Sequence, residues 1–499
     1  MGIFQVAAIF SDNMVLQRKK NVKVFGQGEE LSIVSLDFMG RNYTTVVKDN
    51  KWCIILPPMS AGVGYEMRIT SNNDSILFHN IAIGEVYLAG GQSNMEMELR
   101  NCKDGLEMLQ NDREPNVRYY YTMKNAVIDD NFYEMESKTA WSEFSEENAK
   151  AWSAVAYIFG KRLAKELGVT VGIVGCNWGG TSASCWMSKE ALLEDRELSS
   201  YIEEYEKSIE GISESEQIDE YNDYLEYHAA WEEESAKLYE ENQDISWEEV
   251  ISICGENKWP GPMGIVNPYR PSGLYECMIK RIMPYTLGGI IYYQGESDDH
   301  KPHMYQKLLT RLIKQLRDDQ EDLELPFLIV QLPMHRYKAD PDKKNWCLIR
   351  EAQMNTFKTI KNTGIAVCLD CGEFNEIHPK DKTPVGERLA LQALYHIYEK
   401  INDFEAFGPI YKSHVYKNSE IEITFHYASD GFIVNGEPYF EIAGLDGDYK
   451  VADINIMKDK IYVSSKAIDK PIFVRYCWTN YGEVTLYGKN GIPLAPFRF

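Results

Sequence analysis

A serine lies directly after the first long apolar run of the chain. Residues 81–88 are rich in β-branched and aromatic side chains and predict a buried strand. This run continues into Gly90 and Gly91, where the backbone can turn tightly, and Ser93 follows the turn. Ligands bind at the carboxyl ends of strands in open α/β sheets, so a hydroxyl here would face a crevice. The alternative for such a serine is the N-cap of the next helix.

Two further segments carry hydrogen-bond donors that acyl transfer needs. Gly179 and Gly180 follow an apolar run, and a glycine pair in that place exposes backbone N–H groups of the kind that form an oxyanion hole. Gln294 follows the run 287–293, and its amide could donate into the same cleft. Taken singly, the glycine pair also fits a turn, and Gln294 also fits an exposed polar residue.

A fourth segment supplies a candidate general base. His378 follows a strand-like run and a loop, and it precedes a helical pattern. A serine needs a histidine oriented by a carboxylate, because a free hydroxyl is too weakly acidic to attack an ester. A lone histidine is more often structural, but its coincidence with Ser93 and the donor segments favours catalysis. Carboxylates lie upstream at Asp370, Glu373 and Glu376.

The patterns for metal or cofactor chemistry are weaker. The sequence has neither a P-loop nor a dinucleotide-binding glycine pattern. Cys368 and Cys371 form a single CxxC with no second pair, which argues against zinc. Residues 298–303 hold two Asp and two His, but such a loop is usually exposed polar sequence. We therefore predict no cofactor and no metal. Ser93 also lies outside any Gly-x-Ser-x-Gly nucleophile elbow.

The elements that must position these residues form an alternating pattern between residues 81 and 400. Helical apolar spacing, as over residues 154–167, separates strand-like runs. Strands that alternate with helices indicate an α/β fold with a parallel sheet covered on both faces. The five predicted strands are residues 81–89, 170–176, 287–293, 326–332 and 364–369.

The two ends of the chain have a different rhythm, with short strand-like runs between turn residues. We predict an N-terminal β-sandwich domain (1–80), a catalytic domain (81–405) and a C-terminal β domain (406–499). Residues 188–258 are rich in Glu and Tyr and predict a helical insertion in the catalytic domain. The charge of this insertion fits a solvated helix face, and a lid or a subunit contact is the alternative.

Charge and cysteine use narrow the cellular setting and the partners. The net charge of −24 argues against nucleic acid and anionic membranes as partners, and residues 191–250 hold 21 Asp and Glu against 3 Lys and Arg. No apolar run approaches the ~18 residues of a membrane span, and the first residues do not resemble a secretory signal. Ten scattered cysteines, among them Cys53, Cys176 and Cys477 in apolar runs, indicate buried thiols and a cytoplasmic protein. Homo-oligomerisation stays open.

Read together, the motifs resemble one enzyme family. The central ones are Gly91-Gln-Ser93-Asn-Met95, Trp178-Gly-Gly-Thr181, Tyr293-Gln-Gly-Glu-Ser297 and Ile377-His-Pro-Lys380. This set is similar to that of the sialate O-acetylesterases of the SGNH-hydrolase superfamily, and the resemblance covers nearly the whole chain. Segments near both ends also match: Phe10-Ser-Asp-Asn-Met-Val-Leu-Gln17, Glu441-Ile-Ala-Gly-Leu-Asp-Gly447 and Pro493-Leu-Ala-Pro-Phe-Arg498.

The resemblance implies a three-layer, flavodoxin-like α/β/α core between β domains and hydrolysis of O-acetyl esters on sugars. It makes Ser93 the nucleophile and His378 the base. The oxyanion hole would consist of the Ser93 N–H, an N–H of Gly179 or Gly180, and the Gln294 amide. In this family the Gln-Gly-Glu segment replaces the Asn block of other SGNH enzymes, and Glu296 would fix that loop.

The chain departs from the superfamily pattern at the acid. Many SGNH enzymes have Asp three residues before the histidine, where this chain has Asn375. Glu376, two residues before His378, is the acid that we favour, and Asp370 is the alternative acid. A Ser–His dyad supported by backbone carbonyls is a third arrangement.

The leading functional prediction is a serine-dependent carbohydrate O-acetylesterase with a small acetylated carbohydrate as substrate. Sialic acid and plant-derived xylo- or manno-oligosaccharides are the candidate sugars. An SGNH esterase acting on another acyl ester is the enzyme alternative. A catalytically silent carbohydrate-binding protein is the alternative from another class.

Overall fold

The computed structural model describes residues 4–113, 115–242 and 245–499, so residues 243 and 244 of the predicted insertion lie outside it. The chain forms a mixed α/β structure, as the sequence predicts. It divides into two compact units. The larger comprises Met1–Thr122, Ser137–Ala183 and Arg281–Phe499, and the smaller comprises Met123–Glu136 and Ser184–Lys280. The division into three domains stays a prediction.

The N-terminal part of the larger unit is built from strands that pair antiparallel, except for Val15–Gln17, which pairs parallel with a later strand. Buried and exposed residues alternate along them, as in Lys51–Leu56, where Trp52 faces the core and Cys53 faces outward. The prediction that Cys53 is buried was therefore wrong, because it lies on the outer face of its strand. The strands are β1 Gln5–Val6, β2 Val15–Gln17, β3 Val22–Gln27, β4 Ile33–Phe38, β5 Arg41–Val46, β6 Lys51–Leu56 and β7 Gly62–Ser71.

One long strand, β8 (Asp74–Gly91), connects this region with the central sheet. Its first half pairs antiparallel with β7, and its second half pairs with parallel neighbours on both sides. The proposed boundary between residues 80 and 81 falls inside β8.

Within the described ranges, six parallel strands lie side by side in the central sheet, one more than predicted, and β2 pairs parallel with an earlier part of β8. Each of the five predicted runs contains a strand, and Val117–Tyr121 is the sixth. Arg118 interrupts the apolar pattern of that strand, but it is buried and donates to the Asn80 backbone oxygen at 2.5 Å. The remaining strands here are β9 Val117–Tyr121, β10 Ser142–Glu143, β11 Val171–Asn177, β12 Gly289–Tyr293, β13 Phe327–Gln331 and β14 Thr363–Val367, in the order β10-β9-β11-β8-β12-β13-β14.

The helices connect the parallel strands and pack in pairs. The helix over residues 154–167, which precedes β11, follows the N-cap residue Ser153 and ends at Gly168, whose backbone is in the left-handed conformation. The α-helices are α1 Ser93–Glu96, α2 Gly105–Asn111, α3 Phe132–Glu136, α4 Glu146–Ala149, α5 Ala154–Leu167, α6 Lys189–Leu193, α7 Ser199–Ser208, α8 Glu214–Glu241, α9 Trp247–Cys254, α10 Lys280–Ile282, α11 Tyr305–Gln320, α12 Asn345–Thr359, α13 Thr383–His396 and α14 Asp403–Ala406. Short 3₁₀ segments span Leu99–Asn101, Ala183–Trp186, Glu296–Asp298, Pro302–Met304 and Leu369–Cys371, and a π-helical turn spans Tyr275–Ile279. Helices α5 and α13 pack on each other, as do α11 and α12.

The smaller unit contains helices α6 to α9, which occupy the segment predicted as a helical insertion. Helices α8 and α9 each begin with a capping box, from Ser213 and Ser246. None of the helices in the described ranges is both long enough and apolar enough to cross a membrane.

The C-terminal strands close the larger unit. Their apolar side chains share one core with β14 and α12, through residues such as Ile365, Met354, Ile423 and Phe440. The strands are β15 Ile410–Lys417, β16 Glu420–His426, β17 Phe432–Val434, β18 Phe440–Ala443, β19 Lys450–Val451, β20 Asp453–Met457, β21 Lys460–Ser464, β22 Phe473–Tyr476, β23 Leu486–Gly488 and β24 Phe497–Arg498.

Candidate active site

The carboxyl ends of three neighbouring strands are in register, and the predicted site residues follow them. Gly91 of β8 pairs with Asn177 of β11 on one side and with Tyr293 of β12 on the other. The segments that begin at Gln92, Trp178 and Gln294 therefore leave the sheet at one level. This is the edge at which ligands bind in parallel α/β sheets.

The turn that carries the serine depends on a glycine. Gly91 has φ +137°, and a Cβ at this position would lie 2.0 Å from the Tyr293 carbonyl oxygen. Gln92 caps the following short helix, so the alternative of Ser93 as an N-cap was wrong. Ser93 is the first helical residue, at a position where the helix offers its N–H no acceptor.

Ser93 and His378 form a hydrogen-bonded pair. The distance between Ser93 Oγ and His378 Nε2 is 2.8 Å. With the proton on Nδ1, Nε2 accepts from the hydroxyl, which is the contact that a general base needs. The His378 side chain is 42% exposed, so the pair lies at the surface of the larger unit, open to solvent.

The electrostatic surroundings of His378 favour the neutral imidazole. Partial burial lowers the pKa of His378 below its ordinary value, and the positive charge of Lys382 lowers it further. The carboxylates of Glu376 and Glu96 act in the opposite direction and raise this pKa. The net shift is downward, so the base stays unprotonated to lower pH than an unperturbed histidine.

Glu376, the favoured acid, lies beside His378 without a direct hydrogen bond to the ring. Its Oε1 accepts from the His378 backbone N–H at 2.7 Å and is 3.8 Å from Nδ1. The Glu376 side chain is 46% exposed. Solvent screens a carboxylate in this position, so its support of the imidazole is weak in this arrangement. Glu373, also upstream, is exposed on the same loop.

Asp370, the alternative acid, pairs with another residue. Its two carboxylate oxygens accept from the Arg388 guanidinium at 2.5 and 2.9 Å. Such a bidentate pair holds both partners in a fixed orientation. The structure therefore brings Asp370 to Arg388 and not to His378.

The Gly179 backbone lies against the nucleophile. A Cβ on Gly179 would be 3.3 Å from Ser93 Cβ, and the Gly179 N–H donates to Glu96 Oε2 at 2.5 Å. An anionic oxygen thus already occupies the donor predicted for the oxyanion hole, and a substrate would have to displace it. Gly180, with φ +75°, completes the turn.

Gln294 does not offer its amide to the cleft in this structure. It is buried, and its Nε2 donates to Asp298 Oδ2 at 2.6 Å. The same nitrogen lies 3.2 Å from Gln92 Oε1 and 3.2 Å from the Thr181 backbone oxygen. Two amide hydrogens are engaged by these three internal acceptors. The role of Gln294 as an oxyanion donor therefore has no support here. The side chain instead ties the loop after β12 to its neighbours.

Asp298 belongs to the same buried network. It accepts from Ser182 Oγ at 2.6 Å and from the Ala183 N–H at 2.9 Å, and burial raises its pKa. The beginning of the 298–303 segment is thus not exposed polar sequence. Within the described ranges, no group of His, Cys, Asp and Glu has an arrangement that could hold a metal ion.

Three residues near the pair were not singled out from the sequence. Asn94 directly follows Ser93, and Glu96 lies three residues after Ser93. Lys382 lies four residues after His378. Asn94 Nδ2 donates to Glu296 Oε1 at 2.7 Å, so Glu296 connects the loop after β12 to the turn that carries Ser93. Their closeness in sequence to Ser93 and His378 is the signal that could have drawn attention to them.

Comparison with known proteins finds similarity to carbohydrate esterases. Residues 260–394 match the sequence model of the carbohydrate esterase family described as sialic acid-specific acetylesterase. The sialate O-acetylesterase of Mus musculus is 25% identical, and the alignment covers 99% of this chain and 94% of the relative. That of Homo sapiens is 24% identical, over 99% of this chain and 92% of the relative.

A solved structure is similar over the entire chain. The crystal structure of a carbohydrate acetylesterase from Xanthomonas citri superposes with a TM-score of 0.78 at 26% identity, covering 100% of this chain and 99% of that one. The matched family segment contains Gln294 and His378, and the full-length alignments extend to Ser93. The chain is thus similar, over residues 260–394, to the sialic acid-specific acetylesterase family of carbohydrate esterases.

Proposed function

We propose that this protein is a serine-dependent carbohydrate O-acetylesterase with an SGNH-type catalytic core. The observation that carries the proposal is the 2.8 Å contact between Ser93 Oγ and His378 Nε2 at the carboxyl end of β8. Without the added β9, the parallel strands in chain order are arranged 2-1-3-4-5, the flavodoxin-like order with its switch point at the first strand. The family match and the full-length relatives support the esterase activity.

The chemistry follows from the pair. His378 Nε2 takes the Ser93 proton as Oγ attacks the acetyl carbonyl, and the imidazolium then gives this proton to the departing sugar oxygen as the ester C–O bond breaks. Water, deprotonated by His378, hydrolyses the acetyl-enzyme and releases acetate. Glu376 stabilises the imidazolium across 3.8 Å, so the arrangement is close to a Ser–His dyad.

Two backbone donors are available to the oxyanion. One is the N–H of Ser93 itself, the first residue of its helix, and the other is the N–H of Gly179, which lies against Ser93 and already binds the Glu96 carboxylate. In the reaction the carbonyl oxygen would replace Glu96 Oε2, since one donor hydrogen cannot serve both oxygens at full strength. Glu96 would also disfavour substrates that place a negative charge at this point.

The substrate class is an acetylated sugar, and the relatives named sialate O-acetylesterases favour O-acetylated sialic acid. Small plant-derived oligosaccharides are the second choice. We further propose a cytoplasmic location on the basis of the cysteines, all ten of which are free thiols.

The test is acetate release from acetylated sialic acid, xylo-oligosaccharides, manno-oligosaccharides and p-nitrophenyl acetate, by wild type and Ser93→Ala. We expect turnover to fall by about 10⁴–10⁶ in the variant, as for other serine nucleophiles. Equal activity of the two proteins would contradict serine dependence. A carbohydrate-binding protein without catalysis would release no acetate and would not react with a fluorophosphonate.

A further inference from the structure

A single buried side chain connects the two loops that carry the catalytic pair. Asn94 directly follows Ser93, is only 1% exposed, and donates from Nδ2 to the Ile377 backbone oxygen at 3.0 Å. Ile377 directly precedes His378. The turn that carries Ser93 (the nucleophile turn) and the loop that carries His378 (the base loop) are therefore joined next to the reacting atoms. This hydrogen bond is independent of the one between Ser93 and His378.

The orientation of the Asn94 amide is determined by two charged groups. Lys382 Nζ donates to Asn94 Oδ1 at 2.5 Å, and Glu296 Oε1 accepts from Nδ2 at 2.7 Å. An ammonium group only donates and an ionised carboxylate only accepts. A flipped amide would place its oxygen against the oxygens of Glu296 and Ile377, so only one orientation satisfies all three partners.

Burial of the Lys382 side chain costs free energy of folding unless its charge is paired. Its side chain is 0% exposed, Glu296 is 5% exposed, and a lysine is almost never fully buried without a paired charge. Burial lowers the pKa of Lys382 to about 8 and raises that of Glu296. The Nζ also lies 5.6 Å from the centre of the Tyr293 ring. The thiols that face it are those of Cys102, Cys368 and Cys371.

We propose that Asn94 and Lys382 are positioning residues of the esterase site. Asn94 holds the base loop against the nucleophile turn, and Lys382 locks the Asn94 amide in the orientation that does so. This inference rests on the proposed roles of Ser93 and His378 and adds the element that aligns them. Lys382 has a second effect, because its positive charge disfavours the imidazolium form of His378.

The test compares Lys382→Met with Lys380→Met, which removes an equal charge from an exposed position on the same loop. On p-nitrophenyl acetate, we expect Lys382→Met to lower kcat roughly 10–100-fold with little change in KM, because a slight misplacement of reacting groups has effects of this size. The acid limb of its kcat/KM profile should move to higher pH, since a charge that lowers the His378 pKa is gone. Lys380→Met should match wild type in both.

Asn94→Ser separates the two effects of the network. It removes the bond to Ile377 but retains the Lys382 charge, so kcat should fall while the acid limb stays in place. Thermal melting shows whether each variant is folded. If Lys382→Met does not fold, Asn94→Ser decides alone. A folded Asn94→Ser with the wild-type kcat would overturn the proposal, as would a folded Lys382→Met with unchanged kcat and pH profile.

Fluorophosphonate labelling distinguishes this failure from failure of the esterase assignment. The rate at which Ser93 is labelled reports alignment with His378 without requiring the natural sugar. We expect labelling to slow in Lys382→Met by about the same factor as kcat. If wild type neither labels nor releases acetate, the proposed function fails. If wild type does both and the variants match it, only the positioning role fails.

Discussion

Two unlike sets of residues support His378, an exposed flank and a buried flank. The exposed flank is Glu376, which is half-exposed, lies 3.8 Å from the ring nitrogen, and accepts from the His378 backbone N–H instead. The buried flank is Asn94 and Lys382, which are connected to each other and to the backbone of Ile377 by hydrogen bonds of 3.0 Å or less. The carboxylate that the sequence pattern emphasises is thus the weaker structural constraint, and the stronger one is a lysine.

The difference follows from solvent access. An exposed charge 3.8 Å away is screened by water and counter-ions, and exposed pairs typically contribute less than about 1 kcal/mol. A buried ammonium and carboxylate cannot exchange their protein partners for water, so each keeps the Asn94 amide in place. We infer that orientation of the base comes from the buried flank, and that the exposed flank tunes its proton affinity.

Removal of the base itself is expected to lower activity more than any change to its two flanks. His378→Ala should lower acetate release by about 10⁴–10⁶, similar to the expectation for Ser93→Ala, because members of one catalytic unit are not additive. His79→Ala, at an exposed histidine paired with Glu66, serves as the control and should be active. A His378→Ala enzyme within tenfold of wild type would exclude His378 as the base and remove the basis for comparing its flanks.

Glu376→Gln should have a much smaller effect. The amide retains an acceptor for the His378 backbone N–H, and only a screened charge is lost, so we expect kcat to fall by less than about tenfold. Because Glu376 raises the His378 pKa, its loss should move the acid limb of kcat/KM to lower pH.

This shift is opposite in sign to the one expected for Lys382→Met, and the pair of pH profiles sharpens the contrast between the flanks. A loss of about 10⁴ in Glu376→Gln, the size found when a triad carboxylate is replaced, would show that Glu376 orients the ring during catalysis. In that event the 3.8 Å separation would have to close when substrate binds.

The sequence predicts the parts of this site that lie close to strand ends. Ser93 and His378 follow apolar runs, and the pattern of those runs indicates a parallel sheet, so their meeting could be inferred from topology alone. Five of the six parallel strands were also recognisable. Val117–Tyr121 was not, because an arginine within a run indicates a solvent-exposed position. The sequence does not show that Arg118 donates to the backbone oxygens of Asn13 and Asn80.

Hydrogen-bond partners of buried polar groups could not be predicted in the same way. Gln294 was expected to face the cleft, and it instead donates to Asp298, four residues later. Lys382, in a run of charged residues after His378, looks like ordinary surface sequence and is completely buried. Sequence periodicity predicts which face of an element is buried, but it carries no information on which polar side chains meet inside.

Asp370→Asn is the variant with the smallest expected effect on catalysis. Its carboxylate is bound to Arg388, whose side chain is 11% exposed, so the substitution should lower the free energy of unfolding by roughly 1–3 kcal/mol through the weakened pair. Because the charges that shift the pKa of His378 are those of Glu376, Lys382 and Glu96, kcat and the acid limb of the folded enzyme should match wild type. Denaturant unfolding and pH profiles on one preparation measure both quantities. A shifted acid limb with unchanged stability would identify Asp370 as the acid that orients His378, and it would mean that neither flank described here holds the ring in the working enzyme.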